Sequence, residues 1–282
     1  MATLKELKGR IASVRSTLKI TSAMKLVASS KLRRAQLAIE AMRPYEKQLQ
    51  AILEALLSTG ARLPESKAGD ENAPVAIVAI SSNSSLCGGF NANVISRLRE
   101  LLAEYPDATV YSIGRKVADT VRKSGRTSGG VFNELSEKPA YAGAAALAEQ
   151  LADDFYGGKF SKVLLVYNHF VSTAKQVTVT ETMLPAELPE MNSENALPAD
   201  IIVEPSPSEM LESLFPKTLK LKLFTALLDS SAAEHAARTI AMQTATDNGE
   251  NILSELTLQY NKSRQQKITT EILDLAGGKV EE

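Results

Sequence analysis

The chain has 282 residues, 44% of them hydrophobic and 23% charged, enough to bury one substantial core or a core plus an elongated element. A single cysteine, Cys87, excludes an intramolecular disulfide, and two histidines far apart in sequence, His169 and His235, argue against a His/Cys metal centre. The formal net charge of −1 hides an asymmetry: residues 1–50 carry eleven basic side chains against three acidic ones (Glu6, Glu40, Glu46), about +8, leaving about −9 for the remainder.

Between residues 2 and 57 the only proline is Pro44 and the only glycine is Gly9, while apolar residues recur at Leu4, Leu7, Ile11, Val14 and Leu18. Alternating steps of three and four form a heptad seam and predict one helix of roughly 80 Å at about 1.5 Å per residue. Beyond Leu18 the seam positions turn small or polar, at Thr21, Lys25 and Ala28, and a second stripe is expected at Ile20, Met24 and Val27. TGARLPESKAGDENAP (59–74) reads as a linker. The runs VAIVAIS (75–81), ATVYSIG (108–114) and KVLLVYNHF (162–170) have the continuous apolar character of strands buried on both faces. Helical stretches over about 92–104, 116–123 and 144–155 alternate with them, which predicts a mostly parallel sheet. QVTVTETML (176–184) follows too closely for a crossover helix and should pair antiparallel with the strand before it. Residues 185–200 read as a Pro/Asn/Glu loop. From Pro216 onward there is no further proline, and Leu223, Leu227, Ala233, Ala237, Ile240, Ile252, Leu256, Ile268, Ile272 and Leu275 suggest a second helix of roughly 90 Å.

The expected fold class is α/β, with a long antiparallel coiled coil of N- and C-terminal helices and an inserted Rossmann-like α/β domain. The expected domains are 1–58 (N-terminal coiled-coil helix), 75–205 (α/β globular domain) and 208–282 (C-terminal coiled-coil helix). Facing segments of the coil should be TSAMKLVASS (21–30) and SSAAEHAARTIAMQTAT (230–246), whose small side chains allow close approach. No stretch reaches the roughly 18 apolar residues of a membrane span, and MATLKELKGR has neither a secretory apolar run nor the character of an organelle leader. These features point to a cytoplasmic or membrane-peripheral protein and favour a bacterial origin.

The basic first segment calls for an acidic partner, whether nucleic acid, anionic lipid or carboxylate-rich protein loops. Its cations (Lys8, Arg15, Lys19, Lys25, Lys31, Arg33, Arg34) are most simply a solvated face, and residues 1–42 hold no aromatic for stacking on single strands. SSNSSLCGGFN (81–91) sits where the first strand turns into a helix, yet neither GxGxxG nor GxxxxGK[ST] occurs, so Gly88 and Gly89 are read as a tight turn. Cys87 lacks a recognised nucleophile signature and is read as a structural thiol; His235, in AAEHAAR, is read as a rim or packing histidine.

Three stretches together resemble the gamma subunit of F-type ATP synthases: KGRIASVRSTLKITSAMKLVASSKLRRAQ (8–36), SSLCGGFN (84–91) and AAEHAARTIAMQTATDNGENILSELTLQYNKSRQQKITTEILDLAGG (232–278), joined by IVEPSP (202–207). Two positions depart from the family pattern. Ser82-Asn83-Ser84-Ser85 stands where Ser-Asp and a glycine usually precede LCGG, and Thr239 stands where methionine is common. No inserted cysteine pair is present, so redox control of the chloroplast type is not expected.

The resemblance implies a non-catalytic central shaft of the two-sector ATPase, with no catalytic, cofactor or metal site of its own. Its implied partners are the alpha and beta subunits, the epsilon subunit and the c-ring, at the cytoplasmic face of the bacterial inner membrane. Carried over by position, Arg238, Gln265 and Thr269 resemble residues that meet acidic loops of beta. Met24 resembles the shaft position beside Arg238, with Lys25 adding charge, and Glu204 resembles a c-ring contact. A coiled-coil adaptor or RNA-binding arm is the second reading.

Overall fold

A computed structural model describes residues 3–59, 73–185 and 203–277. Most of the linker read over 59–74 and of the loop read over 185–200 lies outside the described residues. In chain order the elements are α1 (Leu4–Ser58), β1 (Val75–Ile80), α2 (Phe90–Glu104), β2 (Thr109–Ile113), α3 (Arg115–Ser124), β3 (Ser128–Val131), α4 (Asn133–Glu137), α5 (Tyr141–Tyr156), β4 (Lys162–Phe170), β5 (Gln176–Leu184) and α6 (Pro207–Gly277). They form two compact units, residues 29–237 and residues 1–28 with 238–282, and α1 and α6 contribute to both.

Both long helices start with reciprocal caps. Thr3 N–H donates to Glu6 Oε2 at 2.8 Å while Glu6 N–H donates to Thr3 Oγ1 at 3.3 Å. Ahead of α6, Glu209 N–H donates to Ser206 Oγ at 3.3 Å while the Ser206 hydroxyl donates to Glu209 Oε1 at 3.1 Å, so each helix has a first-turn backbone donor satisfied. Pro216 falls inside α6 rather than near its start, on an exposed position where a missing backbone donor leaves no buried acceptor unpaired.

In the unit of residues 29–237 the sheet order is β3-β2-β1-β4-β5, with β1, β2, β3 and β4 parallel and β5 antiparallel to β4. All six residues of β1 are buried because successive side chains enter different cores. Ala76, Val78 and Ile80 face α5 and the α6 residues Leu219, Leu223, Ala226 and Leu227. Val75, Ile77 and Ala79 face α2 and α3. The sheet thus uses α6 as one of its covering helices. The same unit holds antiparallel α1–α6 packing: Leu32 and Ala35 meet Ala232 and Ala236, while Leu49, Leu53 and Leu56 cluster with Leu211 and Leu221.

In the other unit, Thr246 Oγ1 donates to Thr21 Oγ1 at 2.9 Å, and Gly249 leaves room for Leu18, whose Cδ2 would lie 2.6 Å from an added Cβ. A step of three down α1 therefore matches a step of three up α6, which fixes an antiparallel register. The α1 seam does not shift to the second stripe expected from sequence. Thr21 and Ala28 are buried and Lys25 half-buried, whereas Ile20 and Val27 are 57% and 58% exposed. A strict heptad keeps Thr21, Lys25 and Ala28 on the inner face, and small residues there suit a close approach better than a wide apolar stripe would. On α6 the inner positions are Met242, Thr246, Gly249, Leu253, Leu256 and Tyr260, while Ile240, Ile252, Ile268, Ile272 and Leu275 from the expected stripe are exposed.

Candidate partner-binding site

The SSNSSLCGGFN segment joins β1 to α2, and Ser82, Ser84, Cys87 and Asn91 bond one another within it. Asn91 Oδ1 accepts the Ser82 N–H at 3.0 Å, Asn91 Nδ2 reaches Cys87 Sγ at 3.0 Å, and Ser82 Oγ donates to the Ser84 carbonyl at 2.6 Å. Asn83 bridges outward to the Arg115 N–H and the Asn133 carbonyl. Leu86 holds a φ of +66° and is exposed, which turns Cys87 and Phe90 inward. Both are buried against Ala233 of α6, with Phe170 of β4 alongside. The loop is thus an anchor on α6, with its turn at Gly88 (φ +56°). The thiol is expected to react with maleimides only as fast as the loop opens, so Asn91→Ala, which strips the Ser82 N–H and the sulfur of a partner, should raise the labelling rate; stopped-flow labelling with and without denaturant checks this.

The residues singled out by resemblance fall in both units. In the unit of residues 1–28 and 238–282, Met24 and Lys25 are half-buried on α1, and Arg238 on α6 is 8% exposed. Gln265 and Thr269 are exposed one turn apart, and the Thr269 hydroxyl donates to the Gln265 carbonyl at 2.9 Å. Arg238 is therefore held mostly against its own chain, whereas Gln265 and Thr269 are presented. Glu204, in the unit of residues 29–237, is exposed just before the α6 cap. The basic residues of α1 apart from Lys25 are solvent-facing. Among the described residues no three His, Cys, Asp or Glu side chains gather as a metal site, and no helix is long and apolar enough to cross a membrane.

A family model described as ATP synthase matches residues 3–280. The ATP synthase gamma chain of Phocaeicola vulgatus is 52% identical over 99% of each chain. The chain belongs to the ATP synthase gamma family. Gamma chains from Bacteroides fragilis and Christiangramia forsetii are 47% and 42% identical over nearly the whole of each chain. The fold is shared with solved structures of the Euglena gracilis mitochondrial ATP synthase (TM-score 0.69, 19% identity, covering 98% of this chain and 93% of that one) and of the Tetrahymena thermophila central stalk and c-ring (TM-score 0.59, 24% identity, 80% and 99%). Membership of the gamma family sets aside the RNA-arm reading of the basic helix.

Sequence reasoning missed one polar cluster in this gamma-family chain. His169 Nδ1 and Asp229 Oδ2 form a very short contact, and Asp229 Oδ1 accepts the Phe170 N–H at 3.1 Å. His169 entered the sequence reading only as part of the KVLLVYNHF strand and as one of two distant histidines, and nothing in the sequence pairs it with Asp229, 60 residues away. Tyr167 donates to Glu181 Oε1 at 2.8 Å, and burial, followed by the neighbouring Glu181 carboxylate, raises its phenol above the ordinary tyrosine range.

Proposed function

We propose that this chain is the rotating central stalk of an F-type ATP synthase, coupling ion-driven rotation of a c-ring to ATP synthesis or hydrolysis in an alpha/beta hexamer. The single observation that carries this reading is full-length membership of the gamma family, with both long terminal helices packed antiparallel in each unit. An antiparallel helix pair with no symmetry of its own presents different residues in different directions, so it favours a different conformation in each subunit around it and biases their nucleotide affinities by differential contact. The chain works without a catalytic or cofactor site; ATP chemistry belongs to beta, at the cytoplasmic face of the bacterial inner membrane.

In this role Gln265 and Thr269 meet beta loops directly, while Arg238, buried, acts from within the coil and keeps the Met24–Lys25 face in place. Glu204 contacts the polar loops of the c-ring, and epsilon binds the lower part of the stalk. The domains at work are 1–58, 75–205 and 208–282. Affinity capture of the chain from mild-detergent extracts is expected to recover alpha, beta, epsilon and c subunits in an ATP-hydrolysing assembly; recovery of the chain with none of them would refute the proposal. Met24→Lys adds a cation to a half-buried shaft position beside Lys25. It should lower ATP-driven ion pumping several-fold while leaving assembly intact, and unchanged pumping would overturn the assignment of that position.

A further inference from the structure

Within the unit of residues 29–237, α1, α6 and the β4–β5 hairpin line a cavity of about 680 Å³. Its titratable lining is Arg43 and Glu46 from α1, Tyr167 and His169 from β4, Glu181 from β5, and Lys222 and Asp229 from α6. Asp229 holds the end of β4 with both oxygens, through the His169 imidazole and the Phe170 N–H. Lys222 ties α6 to the next strand by donating to the Thr182 carbonyl at 2.7 Å. Three carboxylates thus share the lining with two cations, and an imidazolium at His169 would match their charge.

We propose that the His169–Asp229 pair is a proton-operated latch that binds the end of β4 to α6 while the imidazole is protonated and loosens when the proton leaves. Histidine is the side chain whose charge ordinarily changes between about pH 5 and 8, and an ion pair with Asp229 exists only in its charged form. Loss of the proton turns the ion pair into at most a hydrogen bond from a neutral imidazole, and leaves Asp229, only 13% exposed, beside Glu46 and Glu181 with Arg43 and Lys222 as the remaining cations, while the His169 side chain itself is half-exposed. Phe170, next to the latch, packs in two places. It lies against the Cys87–Phe90–Ala233 anchor and against the Leu32–Ala35–Ala232–Ala236 contact of α1 with α6. An open latch therefore slackens the joint through which the sheet grips both long helices.

Protonation of Asp229 itself would end the ion pair, so the latch needs Asp229 ionised. Burial, the largest cause, raises Asp229 above its ordinary 3.8 despite its hydrogen bonds to His169 and Phe170. Burial raises Glu46 above 4.5, with Arg43 opposing and Asp229 and Glu181 adding to the rise. Groups raised in the fold bind protons more tightly there than in the unfolded chain. The stability they confer is complete below the ordinary carboxylate values and is lost as pH climbs through the raised ones.

The test is peptide-resolved hydrogen–deuterium exchange on the full chain, in whatever assembly it purifies with, at pH 6 and pH 8 and corrected for intrinsic exchange. Protection across residues 168–171 and 228–231 is expected to fall about tenfold from pH 6 to pH 8, the scale of one charged hydrogen bond. In H169K, whose ammonium keeps its charge, protection should be high and flat; in H169Q it should be low at both pH values. A flat profile in the native chain, or the native pH dependence persisting in H169K, overturns the latch.

Discussion

Gly114→Ala should destabilise the chain by about 3 kcal/mol or more, well beyond the cost of an unfavourable backbone angle alone. Gly114 caps α3 with a φ of +97°, and a Cβ there would lie 2.1 Å from the Ser81 carbonyl oxygen and 2.7 Å from its carbon. Ser81 cannot step aside. Its N–H donates to the Ile113 carbonyl at 2.7 Å, its carbonyl accepts the Ser136 hydroxyl at 2.7 Å, and its own hydroxyl accepts the Val117 N–H at 3.0 Å. Ser81 also opens the loop that carries Cys87 and Phe90 to α6, so the strain spreads to that anchor. Gly125→Ala is the matched control. Its φ is +65° with nothing within 4 Å of an added Cβ, so it should cost only the left-handed penalty of about 1 kcal/mol. At about 2–4 °C per kcal/mol for a chain of this size, thermal unfolding should separate the two variants by several degrees; equal shifts would mean that Ser81 is not held.

The second large effect is expected in coupling rather than in stability. Gln265→Ala with Thr269→Val removes two exposed polar side chains near the end of α6, so the unfolding midpoint should move by no more than about 0.5 kcal/mol in equivalent terms. The Thr269 hydroxyl donates to the Gln265 carbonyl and must turn from it to donate to an acidic loop, whereas the exposed Gln265 amide presents N–H donors. If they contact beta loops, ATP-driven ion pumping should fall about tenfold or more, the scale of one or two lost hydrogen bonds to charged groups. Arg238→Ala should behave differently. Because Arg238 is 8% exposed, its loss should lower both pumping and thermal stability. Pumping that survives the double variant would remove Gln265 and Thr269 from the coupling surface.

The extent to which sequence revealed this depended on how local each signal was. The two long helices, the three buried parallel strands and the antiparallel β5 were legible because period and composition are set by burial along one element. β3 was not: SGGV has poor strand propensity, and Gly129 is there because the Tyr111 ring would lie 2.6 Å from an added Cβ. That same ring reaches Asp154, and burial first and the Asp154 carboxylate second push the Tyr111 phenol up to about 12. The apolar stripe of α6 was misread at Ile240, Ile252, Ile268, Ile272 and Leu275, which are exposed, although Leu256 does face inward; nearly all of residues 261–275 are exposed, so hydrophobicity there does not mark an inner seam. The buried state of Arg238 and the pairing of His169 with Asp229 depend on contacts between distant segments, which spacing along the chain does not encode.

The most direct measurement of the stalk role is rotation. With the hexamer of a purified complex fixed to a surface and a probe attached to an engineered cysteine in the α/β unit, ATP should drive the probe in one sustained direction, and omission of ATP should stop it. A probe that stays still while the same complexes hydrolyse ATP would contradict a rotating stalk.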